Sequence, residues 1–155
     1  MPNHCYNRVT ISARDGKEDQ FKKLVSIFES DTPFETLYPS PDWPNTPNDK
    51  GELPELREMK RPDGTVFTTT YEFPGGINDD RWYSWRVDKW GTKWEAYDQS
   101  SGDIDKECGY AEFTFNTAWA PATGIYEAIV EKFPDVGISW FYDEPGCELA
   151  GYLPD

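Results

Sequence analysis

The stretch 110-YAEFTFNTAWAPATGIYEAIVEKFPDVGISWFYDE-144 contains a strand, a helix and a strand in succession. In its first part Ala111, Phe113 and Phe115 alternate with Glu112, Thr114 and Asn116, the two-residue period of a half-buried strand. The period then changes. Ile125, Ala128, Ile129 and Phe133 fall on one helical face, Pro121 suits the first turn, and Pro134 lies just past the end. "VGISWFYDE" reads as a second strand, Pro145-Gly146 as a turn, and "CELAGYL" as a short last strand that returns beside it.

Upstream, the order repeats. "NRVTISA" (7–13) sets Val9, Ile11 and Ala13 against Arg8, Thr10 and Ser12, so it predicts a strand. In "RDGKEDQFKKLVSIFES", Phe21, Leu24, Val25 and Phe28 make one apolar helical face, which ends before Pro33. Residues 33–81 hold eight of the 13 prolines and predict an insertion of loop. Within it, Pro62-Asp63-Gly64 predicts a hairpin turn, with Phe67, Tyr71 and Phe73 on one face of the strand that follows. A short helix is expected over 79–91, capped by Asp79 or Asp80 and ended by Gly91. "TKWEAYD" is expected to be a strand with Trp94 and Ala96 toward the core, and 100–109 a turn. The series is β-α-β-β-α-β plus one strand. It predicts a single α+β domain over 1–155, a ferredoxin-like two-layer sandwich with both helices on one face of an antiparallel sheet.

The totals narrow the function. The chain has 155 residues, enough for one domain with a core, and 16% aromatic residues supply large buried areas. Net charge is −14. From residue 95 onward 13 acids face only Lys106 and Lys132, so phosphate backbones are repelled and nucleic acid is an unfavoured partner. The first residues lack a basic segment followed by an apolar run, and no stretch reaches the length needed to cross a bilayer. Cys5, Cys108 and Cys147 are odd in number and far apart, which predicts reduced thiols and a cytoplasmic setting.

No catalytic constellation stands out. His4, the sole histidine, adjoins Cys5, but on a strand the two point to opposite faces. Paired zinc ligands, a nucleophile elbow and a phosphate-binding loop are missing from the sequence, so no cofactor is expected. Asp98, Glu112, Asp143, Glu144 and Glu148 lie on or beside strands, where two carboxylates in one cleft would divide acid and base work.

"WYSWRVDKWGTKWEAYD" (82–98) holds four of the seven tryptophans. Trp82, Trp85, Arg86 and Lys89 share a helix face, Trp90 closes the helix-to-strand corner, and Trp94 follows. Two readings stay open. The rings are core, with Arg86 stacked on tryptophan or paired with Asp98; or they line a shallow pocket with Asp98, Trp119 and the Glu144-Pro145-Gly146 turn. This block, "MPN-CYNRVTI" at the start, "FTFNTAWAPATGIYEAI" and "FYDEPGCELAGY" resemble the YubB-type ferredoxin-like proteins carried by bacteriophages and plasmids. The resemblance implies the sandwich fold and a mobile-element origin, and no chemistry. His4 departs from it, standing where tryptophan is expected, and 33–81 has no counterpart. The expected function is therefore a non-enzymatic accessory protein that binds a host or phage protein. The alternatives are a small-ligand binder or hydrolase that uses the aromatic, arginine and carboxylate groups, and an acidic mimic of nucleic acid.

Overall fold

The structure, a computed structural model, describes residues 2–154. Its contacts divide the chain into two compact units: the chain up to Pro39 with Arg86 onward, and Ser40–Trp85.

In the first unit, β1 (His4–Ala13), β5 (Tyr97–Asp105), β6 (Tyr110–Ala118), β7 (Val136–Glu144) and β8 (Leu149–Leu153) form a five-stranded sheet in the order β5-β6-β1-β7-β8. All four pairings are antiparallel. Without β8 this is the ferredoxin-like order, so the α+β sandwich with an added C-terminal strand is what the chain forms. The alternation decides which face is covered. Cys5, Val9, Ile11, Phe113, Phe115, Trp140 and Tyr142 are buried beneath α1 (Glu18–Glu29) and α4 (Thr123–Lys132), whose stripes contribute Phe21, Leu24, Val25, Phe28, Ile125 and Ile129. Phe28 stacks on Phe113 with ring centroids 5.5 Å apart, and Trp140 meets Phe115 edge-on at 5.6 Å.

One buried polar group crosses this layer. Asn7 donates to the Cys5 carbonyl and the Thr117 hydroxyl, each at 2.9 Å, and its Oδ1 accepts from Trp140 Nε1 at 2.9 Å. With its amide partnered on both ends, the burial penalty is offset.

Three features differ from the sequence reading. Residues 33–39 do not begin the insertion: α2 (Pro33–Leu37) buries Phe34 and Leu37 in the sandwich. The strand expected at 92–98 starts later, at Tyr97, and runs through Asp105, where a turn was expected. Register breaks at Tyr97/Ser100 and Ser101/Ile104 destroy its alternation. Trp94 precedes the strand and is 37% exposed, not on the core side.

The Ser40–Trp85 unit is a three-stranded antiparallel sheet, β2 (Glu55–Lys60), β3 (Val66–Phe73) and β4 (Ile77–Asn78), in that order. The expected turn at Pro62-Asp63-Gly64 joins β2 to β3, and Gly64 adopts φ +91° there. Helix α3 (Arg81–Lys89) begins in this unit and ends in the other. No helix among the described residues is long and apolar enough to cross a membrane.

Candidate docking surface

The tryptophan-rich block separates into roles. Trp90 is fully buried; its Nε1 donates to the Tyr38 carbonyl at 2.9 Å, Phe34 packs edge-on at 5.8 Å, and the Arg86 guanidinium lies 4.6 Å above the ring. Arg86 also donates to the Lys93 carbonyl. Of the two partners expected for it, tryptophan is the one it takes. Asp98, at φ +51°, accepts instead from Asn116 Nδ2. The corner closes tightly. The Gly91 N–H reaches back to the Arg86 carbonyl from φ +90°, and α4 begins hard against the corner. A Cβ on Gly124 would sit 1.7 Å from the Lys89 carbonyl oxygen.

Glu95, which the sequence reading passed over, anchors the same corner. Its carboxylate accepts from the Phe34 and Glu35 backbone N–H groups at 2.8 and 2.9 Å, and so holds the start of α2. Desolvation by burial outweighs these bonds and pushes the carboxyl above its ordinary value.

The register puts the start of β1 between the ends of β6 and β7, and the start of β5 beside the end of β6, so Trp94, Asp98, Trp119 and Glu144 gather at one end of the sheet. Each has a structural partner there. Trp94 meets Tyr97 edge-on at 6.1 Å beneath the Lys93 ammonium. Trp119, at φ +70° and exposed, donates its N–H to the Asn3 carbonyl. Glu144 is buried, and its Oε2 accepts from the Cys147 N–H, capping the 3₁₀ turn Pro145–Cys147. His4 Nδ1 and the Tyr97 hydroxyl are hydrogen-bonded at 2.6 Å on the open face, while Cys5 points into the core, where burial pushes its thiol up to about 11. Among the described residues no group of three or more His, Cys, Asp or Glu side chains comes close enough to hold a metal ion.

Trp82 and Trp85 lie in the other unit, whose packing has a different logic. In 40–85 only Pro54 and Phe73 are buried. Arg81 takes the place of an apolar centre. Its guanidinium is paired with Asp79, Nε to Oδ1 at 2.8 Å and Nη2 to Oδ2 at 2.9 Å. It also donates to the Trp43 and Pro47 carbonyls, and lies 4.9 Å from the Trp43 ring and 5.0 Å from the Phe73 ring. The hydrogen bonds from Arg81 hold the Asp79 carboxyl below its ordinary value. Trp85 packs edge-on against Trp43 at 6.4 Å.

The three-stranded sheet has two unlike faces. Cross-strand partners share a face, and alternate residues of a strand do too. Leu56 opposes Tyr71, Ile77 opposes Phe73, and Phe67, Tyr71 and Phe73 alternate along β3. Of these, the Arg81 clamp covers Phe73. Leu56, Phe67, Tyr71 and Ile77 are left 51%, 50%, 40% and 66% exposed. The reverse face is mostly polar, with Glu55, Arg57, Thr68, Thr70 and Glu72, and an Arg57–Glu72 ion pair at 3.6 Å. The division is a bias rather than a clean split, since Glu58 and Thr69 share the first face and Met59 and Val66 the reverse. A sheet with its large apolar side chains gathered on one face normally buries that face, yet here they stay largely exposed.

Residues 89–153 match the family described as "Ferredoxin-like domain in Api92-like protein". That part of the chain is similar to a ferredoxin-like family. The match covers less than half of the 155 residues, runs from the end of α3 through β8, and omits the Ser40–Trp85 unit. No curated protein and no solved structure matches the chain.

Proposed function

We propose that this protein is a non-enzymatic protein-binding module of the phage or plasmid accessory type, and that it docks through the bare sheet face of Ser40–Trp85. The observation that carries this reading is the exposure of Leu56, Phe67, Tyr71 and Ile77 on one face, while the opposite face is mostly polar and holds only Met59 and Val66 as large apolar residues. Apolar side chains gathered on one face of a folded sheet are stabilised when a partner removes them from water, at about 25 cal/mol per Å² of apolar surface. The partner is a host or phage protein that presents an apolar patch. The sandwich supplies the frame, and its acidic second half keeps the free protein soluble.

The test is affinity capture from lysate, with wild type beside the Phe67→Ser/Tyr71→Ser double variant and Trp94→Ala/Trp119→Ala. The expected result is a specific partner that the first variant loses and the second keeps, with circular dichroism unchanged in both. A partner that both variants retain would refute the assignment to this face. Loss with Trp94→Ala/Trp119→Ala alone would move the site to the end of the sandwich. Capture indifferent to all four residues but abolished by high salt would favour acidic mimicry instead.

A further inference from the structure

We propose that a second copy of this chain pairs with β8, edge to edge, about a two-fold axis through Gly151, joining two five-stranded sheets into one of ten. The inference is independent of the docking face above, because it rests on the two edges of the sandwich sheet. β5 forms one edge and is blunted as edges usually are: two register breaks interrupt it, and it carries Asp98, Asp103 and Asp105. β8 forms the other edge and has none of these protections. Its sequence is Leu-Ala-Gly-Tyr-Leu, without a charge or a proline, and it runs along β7 with no register break. Its outer row of backbone N–H and C=O groups has no strand beside it.

A second copy presents the same uncharged, proline-free edge, and two-fold symmetry then restricts the register. A two-fold axis normal to the sheet keeps each residue on its own face, so a residue can oppose only residues of its own parity. Among the allowed registers, the one centred on Gly151 pairs all five residues. It sets Leu149 against the copy's Leu153 on the helix-covered face, and Ala150 against the copy's Tyr152 on the open face. Both contacts are complementary. Leu149 is 51% exposed and gains an apolar partner, while the Tyr152 ring, 54% exposed and already packed on Phe141 at 5.3 Å, lies across a methyl group. Arg8 continues that ladder, 5.3 Å from the Phe141 ring.

A five-residue ladder is small beside stable interfaces, which bury about 1,200–2,000 Å². The dimer is therefore concentration-dependent, and the net charge of −14 on each copy makes it stronger as salt rises.

Sedimentation velocity of the full chain from micromolar to near-millimolar concentration tests this. The expected result is a shift from 17.9 kDa toward twice that mass, enhanced by salt. Ala150→Lys and Leu149→Lys place charges at exposed positions of the edge and act twice per dimer, so each is expected to raise the dimer dissociation constant about tenfold. Register is read by cross-linking, with Cys108 and Cys147 replaced by serine. A mixture of Ala150→Cys and Tyr152→Cys is expected to form disulfides faster than either variant alone, since directly opposed residues meet disulfide geometry. A protein that stays monomeric at all concentrations overturns the proposal. So does a dimer unaffected by both lysine variants, or faster cross-linking by Ala150→Cys alone.

Discussion

Replacing Arg81 by methionine is expected to melt the Ser40–Trp85 unit and leave the sandwich folded. The substitution keeps much of the stem but removes the cation. It strands the Asp79 carboxylate, whose side chain is 4% exposed, and it releases the Trp43 and Pro47 carbonyls. The Asp79 side chain is shielded but Arg81 is partly exposed, so breaking the pair by removing one partner costs up to about 3–5 kcal/mol. The unit has 46 residues, from 40 to 85. At about 0.05–0.15 kcal/mol per residue its whole stability is roughly 2–7 kcal/mol. The loss is thus comparable to everything the unit has. Hydrogen exchange read by segment is the assay. Amides of 55–73 are expected to lose about 100-fold protection, one factor of ten for each 1.4 kcal/mol, while those of β1 and β6 keep theirs. The double replacement Asp79→Leu/Arg81→Met, which leaves no orphaned charge, is expected to recover part of the loss. If Arg81→Met changes protection in 55–73 by less than about threefold, Arg81 is a surface residue and the clamp argument fails.

The same pair sets an acid limit. The Asp79 carboxyl is held below its ordinary value in the folded state, so its contribution is present above the ordinary aspartate value and is lost as pH falls through the lowered one; exchange in 55–73 should accelerate there before β1 and β6 respond. Glu95 has the opposite sign. Its carboxyl is raised, so its contribution is present below the ordinary glutamate value and is lost as pH rises through the raised one, and Glu95→Gln should flatten that part of the sandwich's stability curve. Trp90→Ala removes a fully buried ring and should cost about 3–5 kcal/mol in chemical denaturation, whereas Trp94→Ala at an exposed site should cost less than about 1 kcal/mol. Thiol alkylation of native protein at mildly alkaline pH should label Cys108 and Cys147, which are exposed, and reach Cys5 only in denaturant, because Cys5 is buried and its thiol is pushed up to about 11.

What the sequence made legible follows from which interactions are local. β1 and β6 alternate cleanly because one face of each is covered, and α1 and α4 show their stripes for the same reason. β5 was misplaced because it is an edge strand broken twice in register, so it has no buried face to alternate. Helix α2 was missed because its five residues carry little signal, and because Glu95, some sixty positions away, supplies the acceptor for its first N–H groups. Trp94 shows the same limit from the other side. The alternation that points it toward the core runs through residues that are not yet strand. In the insertion, the pattern of Phe67, Tyr71 and Phe73 did reveal a two-faced strand. It could not reveal that Arg81 covers Phe73 and leaves Phe67 and Tyr71 half-exposed.

That division of the rings links the structure of the small unit to its proposed role. A sheet of three strands normally buries its apolar face under another layer, and that burial stabilises it. Here Leu56, Phe67, Tyr71 and Ile77 point outward instead, so their burial contributes little to the unit's own fold. Something else must hold it, and Arg81 does so through directional contacts: a bidentate carboxylate, two carbonyls and two rings. A polar clamp at one end leaves the apolar face free without leaving the unit unfolded. The two observations therefore stand or fall together. A unit whose core were hydrophobic would have no need of the clamp, and a clamp without a bare face would stabilise less than the packed apolar layer it replaces.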